Sequence, residues 1–178
     1  MRARLGGYAV DMVIFAAVAV LMLVLAGFIL LARTDWGQQD ATDPEFYTFL
    51  ATFGAGTPLV WTALNLFVLA TRNQTGGQYV AALRLRDADG GAASPRQALA
   101  WWFCLNPLLF SWPMALTVGL PLAAVIALVL SRATIVVWGV LITACMLAPL
   151  IALVSAMVDP RHRAVHDRLA GVIVTPAP

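Results

Sequence analysis

The chain has 178 residues, of which 61% are hydrophobic and 11% charged, against about 25% charged and roughly 45–50% apolar residues in an ordinary soluble domain. Eleven arginines, no lysine and nine acidic residues leave a formal net charge of +2, a balance too even to point to nucleic acid or another polyanion. That composition excludes a disordered chain, and the residues outside the apolar runs are too few for a second, soluble core.

Four uncharged runs follow one another, residues 12–32, 46–71, 97–131 and 133–158, of 21, 26, 35 and 26 residues. Each exceeds the roughly 18 apolar residues that mark a membrane span. Lipid leaves backbone groups no partner outside a helix or closed barrel, so the runs read as helices. Arg2 and Arg4 precede the first. At this length it outruns the apolar stretch of a signal peptide, about 7–15 residues, and reads as a span over about 8–32. Asp11 lies inside it, between Ala9-Val10 and Met12-Val13. Arg4 stands seven residues earlier, on the same helix face and about 10.5 Å away along the axis. An ionisable group inside a span is functional by default. The architectural alternative makes Asp11 an interfacial partner of Arg4 or of an arginine in the middle loop.

Residues 33–45 carry one arginine against Asp35, Asp40, Asp43 and Glu45, and a second span follows over about 46–71. The loop 72–96 holds four arginines against Asp87 and Asp89. Because short arginine-rich segments stay inside, the amino end, this loop and the tail 159–178 are expected to be cytoplasmic, with 33–45 outside. Within the loop, residues 79–86 alternate loosely as a short strand would. Asp87-Ala88-Asp89-Gly90-Gly91 reads as a turn, and Ser94-Pro95 as the cap and first residue of a helix.

The arginine pattern requires an even number of crossings between 97 and 158. A 35-residue helix would be about 52 Å long against a hydrocarbon core of about 30 Å, and two crossings would need about 40 residues. The expected solution is an interfacial helical segment, then one crossing over about 108–131, then a return over 133–158. The breakers Asn106-Pro107, Trp112-Pro113 and Gly119-Leu120-Pro121 divide the third run, and Trp101, Trp102 and Trp112 suit the headgroup boundary. Five spans are the alternative. Cys104 and Cys145 read as small apolar residues, with neither disulfide nor zinc spacing.

In the tail, Pro160 is expected to start a short helix that Gly171 ends. On it, Arg163 with Asp167 and His162 with His166 would be i,i+4 neighbours. Three arginines surround the histidines and no Glu or Cys is at hand, so His166 reads as a hydrogen-bonding or proton-exchanging group rather than a metal ligand. Residues 171–174 form a second β-prone run, able to pair with 79–86 if the inner face supports it.

Arg4 with Asp11, Thr75-Gly76-Gly77-Gln78 leading into Leu83-Arg84-Leu85-Arg86-Asp87, and the closing His166-Asp167-Arg168-Leu169-Ala170-Gly171 resemble the RDD family of membrane proteins. The resemblance runs from residue 4 to 174. That family is named for one arginine and two aspartates, which the resemblance carries to Arg4, Asp11 and Asp167. The chain departs from it at Gln78, where members often carry lysine, and in its long third run. The resemblance implies a helical bundle with a role in transport, at least one relative being regarded as a sodium/proton antiporter.

The expectation is therefore an all-α membrane protein, a four-helix transmembrane bundle with a small cytoplasmic β-ribbon, forming one domain over 1–178 in the cell membrane. Its function would be that of a small transporter or ion/proton exchanger using Arg4, Asp11, Arg84, Arg163, His166, Asp167 and Arg168. Its partners would be the bilayer, a small ion or solute and a second copy of itself, with no nucleic acid, cofactor or metal. The alternative is a membrane interaction or assembly protein in which the same Arg/Asp network is structural. No nucleophile–base pair stands out, so an enzyme is not expected.

Overall fold

The computed structural model describes residues 2–105 and 132–177. The expected third span over 108–131, Trp112 and the choice between one and two crossings lie outside the described residues. The described chain is mostly helical: α1 (Arg2–Arg33), α2 (Asp43–Leu50), a π-helical turn (Ala51–Ala55), α3 (Gly56–Arg72), α4 (Gly76–Val80), β1 (Leu83–Asp87), α5 (Pro95–Leu105), α6 (Arg132–Val158), α7 (Val165–Ala170) and β2 (Val172–Pro176). Among the described residues two helices, Arg2–Arg33 and the continuous stretch Asp43–Arg72, are long and apolar enough to cross a membrane. Only 28% and 22% of their most apolar stretches are buried, so neither resembles the covered core helix of a globular domain. Val13, Leu21, Val24, Leu59 and Phe67 all face outward, as side chains solvated by lipid do.

The chain divides into two compact units, Val13–Asn65 and a second made of Met1–Met12 with Leu66–Pro178. In the first unit Phe15, Val18, Met22 and Ala26 form a buried stripe along α1 at helical spacing, the pattern of a helix with one covered face. Phe15 meets Trp61 edge to face with centroids 5.6 Å apart. Gly56 lets the helices come close, since a Cβ there would run into the Met22 methyl.

The second unit is built around the ribbon. β1 and β2 pair antiparallel, with Leu85 opposite Val174 and Asp87 opposite Val172. A lone two-stranded ribbon is marginal in water; here Leu85 and Val172 are buried together with Trp101, Leu105, Ala164 and Ala170. The strand begins at Leu83, not Tyr79. Thr75 accepts from the Gln78 N–H and its own N–H donates to the Gln78 side chain. This reciprocal cap winds Gly76–Val80 into helix, overriding the loose alternation. The helix from Pro95 starts as expected, its Ser94 hydroxyl 2.9 Å from Gln97.

The tail helix begins at Val165 rather than Pro160. Asp159 accepts from the Arg163 N–H at 2.9 Å, and His162 takes a left-handed φ of 52°, so the chain turns before it can wind. Gly171 ends α7 in the left-handed conformation, φ 64°, which a glycine adopts without steric cost. Trp101 and Trp102 are buried in this unit, 0% and 3% exposed. They are packing residues, not the headgroup anchors that their place early in the third run suggested.

Candidate functional site

Two buried carboxylates in the second unit carry the chemistry. Asp11 projects from the third turn of α1 and is 1% exposed. Its Oδ2 accepts from the Thr75 hydroxyl at 2.6 Å and its Oδ1 from the Gly77 N–H at 2.7 Å. Both donors belong to the start of α4, where free N–H groups and the aligned peptide dipoles favour an anion. The approach depends on two glycines. A Cβ on Gly77 would collide with the Gly7 carbonyl oxygen and sit 2.7 Å from the Asp11 carboxyl carbon. A Cβ on Gly7 would meet the Gly77 carbonyl oxygen at 3.2 Å. Among the described residues no cation bonds to Asp11. The expected pairing of Asp11 with Arg4, or with a loop arginine, is not formed: Arg4 is held elsewhere, and the loop offers Asp11 a hydroxyl and an amide instead.

Asp167, 0% exposed on α7, is where Arg4 goes. Its Oδ2 accepts from the Arg4 guanidinium and from the Ala164 N–H at 3.0 Å. Its Oδ1 accepts from the Trp101 indole at 2.8 Å and stands 3.3 Å from His166 Nε2. Three donors thus engage Asp167, two at Oδ2 and one at Oδ1. Arg4 also donates to the His162 carbonyl, binding the first turn of α1 to the tail at two points. His166 is fully buried, with the Tyr8 hydroxyl 3.2 Å from its Nε2 and the Trp101 ring edge-on, centroids 5.7 Å apart. Burial pulls its imidazole down to about 4, with Asp167 opposing and Arg4 assisting that shift. It is therefore neutral at pH 7 and forms no ion pair with Asp167.

The remaining candidates separate from this centre. Arg163 pairs with Asp159 at 3.3 Å, not with Asp167, because the chain turns before α7 and puts the two on different elements. Arg168 reaches the Ser155 carbonyl at 3.2 Å and lies 3.7 Å from Asp159. The Arg163 N–H, aided by both guanidinium groups, holds the Asp159 carboxyl below the usual carboxylate range. Arg84 lies exposed on β1, opposite Thr175. His162 and His166 do not share a helix: His162 Nδ1 lies 3.3 Å from the Ala156 carbonyl, while His166 faces Tyr8. Among the described residues no three His, Cys, Asp or Glu side chains gather as a metal site.

Four residues of the site escaped the sequence reading. Tyr8 stands one turn after Arg4 on the face that also bears Asp11, so its spacing was readable. Thr75 and Gln78 form a T-x-x-Q capping pair, also readable. Trp101 carried no local signal. Its role follows from the packing of α5 on α7.

Chemically the two centres differ. The Arg4–Asp167 cluster is a buried ion pair that fastens the amino end to the tail. The Asp11 centre is an anion held by neutral donors, with oxygen lone pairs left for a proton or small cation. Comparison with curated proteins and with solved structures returns no match. The RDD family profile matches residues 1–171. The chain belongs to the RDD family, and with its long apolar helices that makes it a membrane protein.

Proposed function

We propose that the chain is a small multi-pass transporter or ion/proton exchanger of the cell membrane, with Asp11 as the group that takes up the proton or cation. One observation carries this reading: a buried carboxylate bonded only to a hydroxyl and an amide, inside a helix long enough to span the bilayer. A charge in that setting is costly and is retained where it has work to perform. Thr75 and Gly77 would position the carboxylate, and the Arg4–Asp167 clasp would hold the amino end while the site loads and unloads.

The proposed architecture is a four-helix bundle over about 8–32, 46–71, 108–131 and 133–158, with both termini cytoplasmic. Support comes from the bonds of Arg4 to His162 and Asp167 and from the pairing of β1 with β2. These draw the amino end, the middle loop and the tail together, as an even number of crossings requires. Cysteine labelling in a background lacking Cys104 and Cys145 should find position 40 outside and positions 90 and 177 inside. External labelling at 177 would overturn the four-span topology.

The functional test is flux in sealed vesicles under imposed pH and sodium or potassium gradients. Asp11→Asn keeps the shape and loses the charge; it should stay folded and lose the pH-dependent flux. Undiminished flux would sink the reading. A second reading, an interaction or assembly protein, is favoured by the Asp167 centre, whose charge is already paired with Arg4. It expects no flux from the wild type in any gradient.

A further inference from the structure

A polar cleft of about 700 Å³ lies within the second unit, where α3 ends and the ribbon begins. Its size falls in the range of about 300–1,000 Å³ typical of small-molecule sites. Arg72, the last residue of α3, and Arg84 on β1 both line it, with Asn73, Tyr79 and Ala177. Hydrogen bonds fix the walls. The Asn73 carbonyl accepts from the Leu85 N–H at 3.1 Å, and the Ala177 N–H donates to the Ala82 carbonyl at 2.7 Å. The Gln74 side-chain amide donates to the Leu83 carbonyl at 2.8 Å. Asn73 and Ala82 take left-handed φ of 53° and 50°, and these two reversals bring the end of α3 and the start of β1 around one opening.

Charge decides what fits. Among the described residues neither Arg72 nor Arg84 forms an ion pair, and no carboxylate lines the cleft. The Arg72 guanidinium lies 5.3 Å from the centre of the Tyr79 ring, a contact that positions the cation and leaves its N–H edge free. Two uncompensated guanidiniums favour an anion with several oxygens, since arginine offers phosphate paired N–H donors. Position along the chain narrows the source. Arg72 ends the apolar stretch Asp43–Arg72, so the cleft sits where a span leaves the hydrocarbon and lipid phosphates lie. Tyr79, 58% exposed at its rim, suits the same boundary.

We infer that the cleft holds the phosphate of an anionic phospholipid, with Arg72 and Arg84 donating to its oxygens. A zwitterionic lipid fits less well. Its ammonium group would enter a site with no carboxylate, whose tyrosine ring already faces Arg72. The inference stands apart from the Asp11 reading, since Asp11, Thr75 and Gly77 do not line the cleft.

The test mixes the full chain in dodecyl maltoside with equal amounts of phosphatidylglycerol and phosphatidylcholine and counts retained lipids by native mass spectrometry. An arginine beside an anionic lipid is worth about fivefold in affinity. The wild type should therefore favour phosphatidylglycerol about 25-fold, Arg72→Gln and Arg84→Gln should each lower that preference about fivefold, and the double variant should bring the two lipids near parity. Replacing both arginines by lysine keeps the charge and should keep most of the preference. Arg96→Gln, an exposed arginine of the same loop outside the cleft, should change nothing. Equal retention of both lipids by the wild type, or an equal loss in Arg96→Gln, would overturn the proposal. A free anion could supply the same oxygens, so a second arm dialyses radiolabelled inorganic phosphate against the chain in phosphatidylcholine nanodiscs. Phosphate retained by the wild type and lost in both glutamine variants, with no preference between the lipids, would overturn the proposal in favour of a soluble phosphate.

Discussion

Asp11 and Asp167 are both buried, and both accept a backbone N–H from the start of a short helix, α4 and α7 respectively. They differ in what completes the shell. Asp167 has the Arg4 guanidinium and the Trp101 indole, so its negative charge is part of a pair that neither member can leave cheaply. Asp11 has a hydroxyl and an amide, so removing its charge strands no cation. Burial by itself does not distinguish a structural carboxylate from a working one. Under the proposed function, the charge of its partners does.

Asp167→Asn should be the most damaging change, because it leaves a largely buried guanidinium without its counter-charge. A loss of about 3–5 kcal/mol is expected, read as a fall in thermal unfolding temperature. Arg4→Met in the same chain should restore part of it, and failure of that rescue would break the contrast with Asp11. Acid should act next, through His166. The unfolded chain takes up a proton on this residue as pH falls through about 6.5, while the folded one holds out to about 4. Stability is therefore full above the first value and falls by about 3 kcal/mol between the two. His166→Gln should flatten the slope in that window. Asp159, held below the usual range, adds its own loss only under about 3.8.

Gly77→Ala should cost about 1–3 kcal/mol by forcing apart the Gly7 and Gly77 backbones, with flux falling together with stability. The smallest stability effect should come from Asp11→Asn, below about 1 kcal/mol, since an amide replaces most of the same bonds. A loss as large as that of Asp167→Asn would erase the difference between the two centres.

The apolar runs made the long helices legible, because a span must satisfy its backbone internally and so announces itself by composition alone. The ribbon was legible from two β-prone segments; Asp11 was visible as a costly charge in an apolar run, Arg4 as its neighbour on the helix face, and Asp167 through the charged tail and the family resemblance. Partners were harder to read. Arg4 and Asp11 share a helix face, yet each bonds to a segment far along the chain, Asp167 and Thr75 respectively. Spacing within α1 cannot report that. The tail misled for a similar reason: Pro160 favours a helix start, but the Asp159 carboxylate captures the Arg163 N–H and the chain turns first. Trp101 and Trp102 looked like interfacial anchors because buried and interfacial tryptophans share one composition signal.

The clasp between Arg4 and Asp167 joins residues 163 positions apart in sequence, and synthesis runs from the amino end. α1 is therefore made and placed long before the carboxylate that neutralises its first turn exists. During that interval Arg4 is an unpaired cation at the start of an apolar helix. Emergence of the α7 segment then supplies its counter-charge and closes the clasp. Assembly of the amino end thus waits on residues 164–167, and a chain stopped before position 167 would carry α1 with Arg4 unclasped.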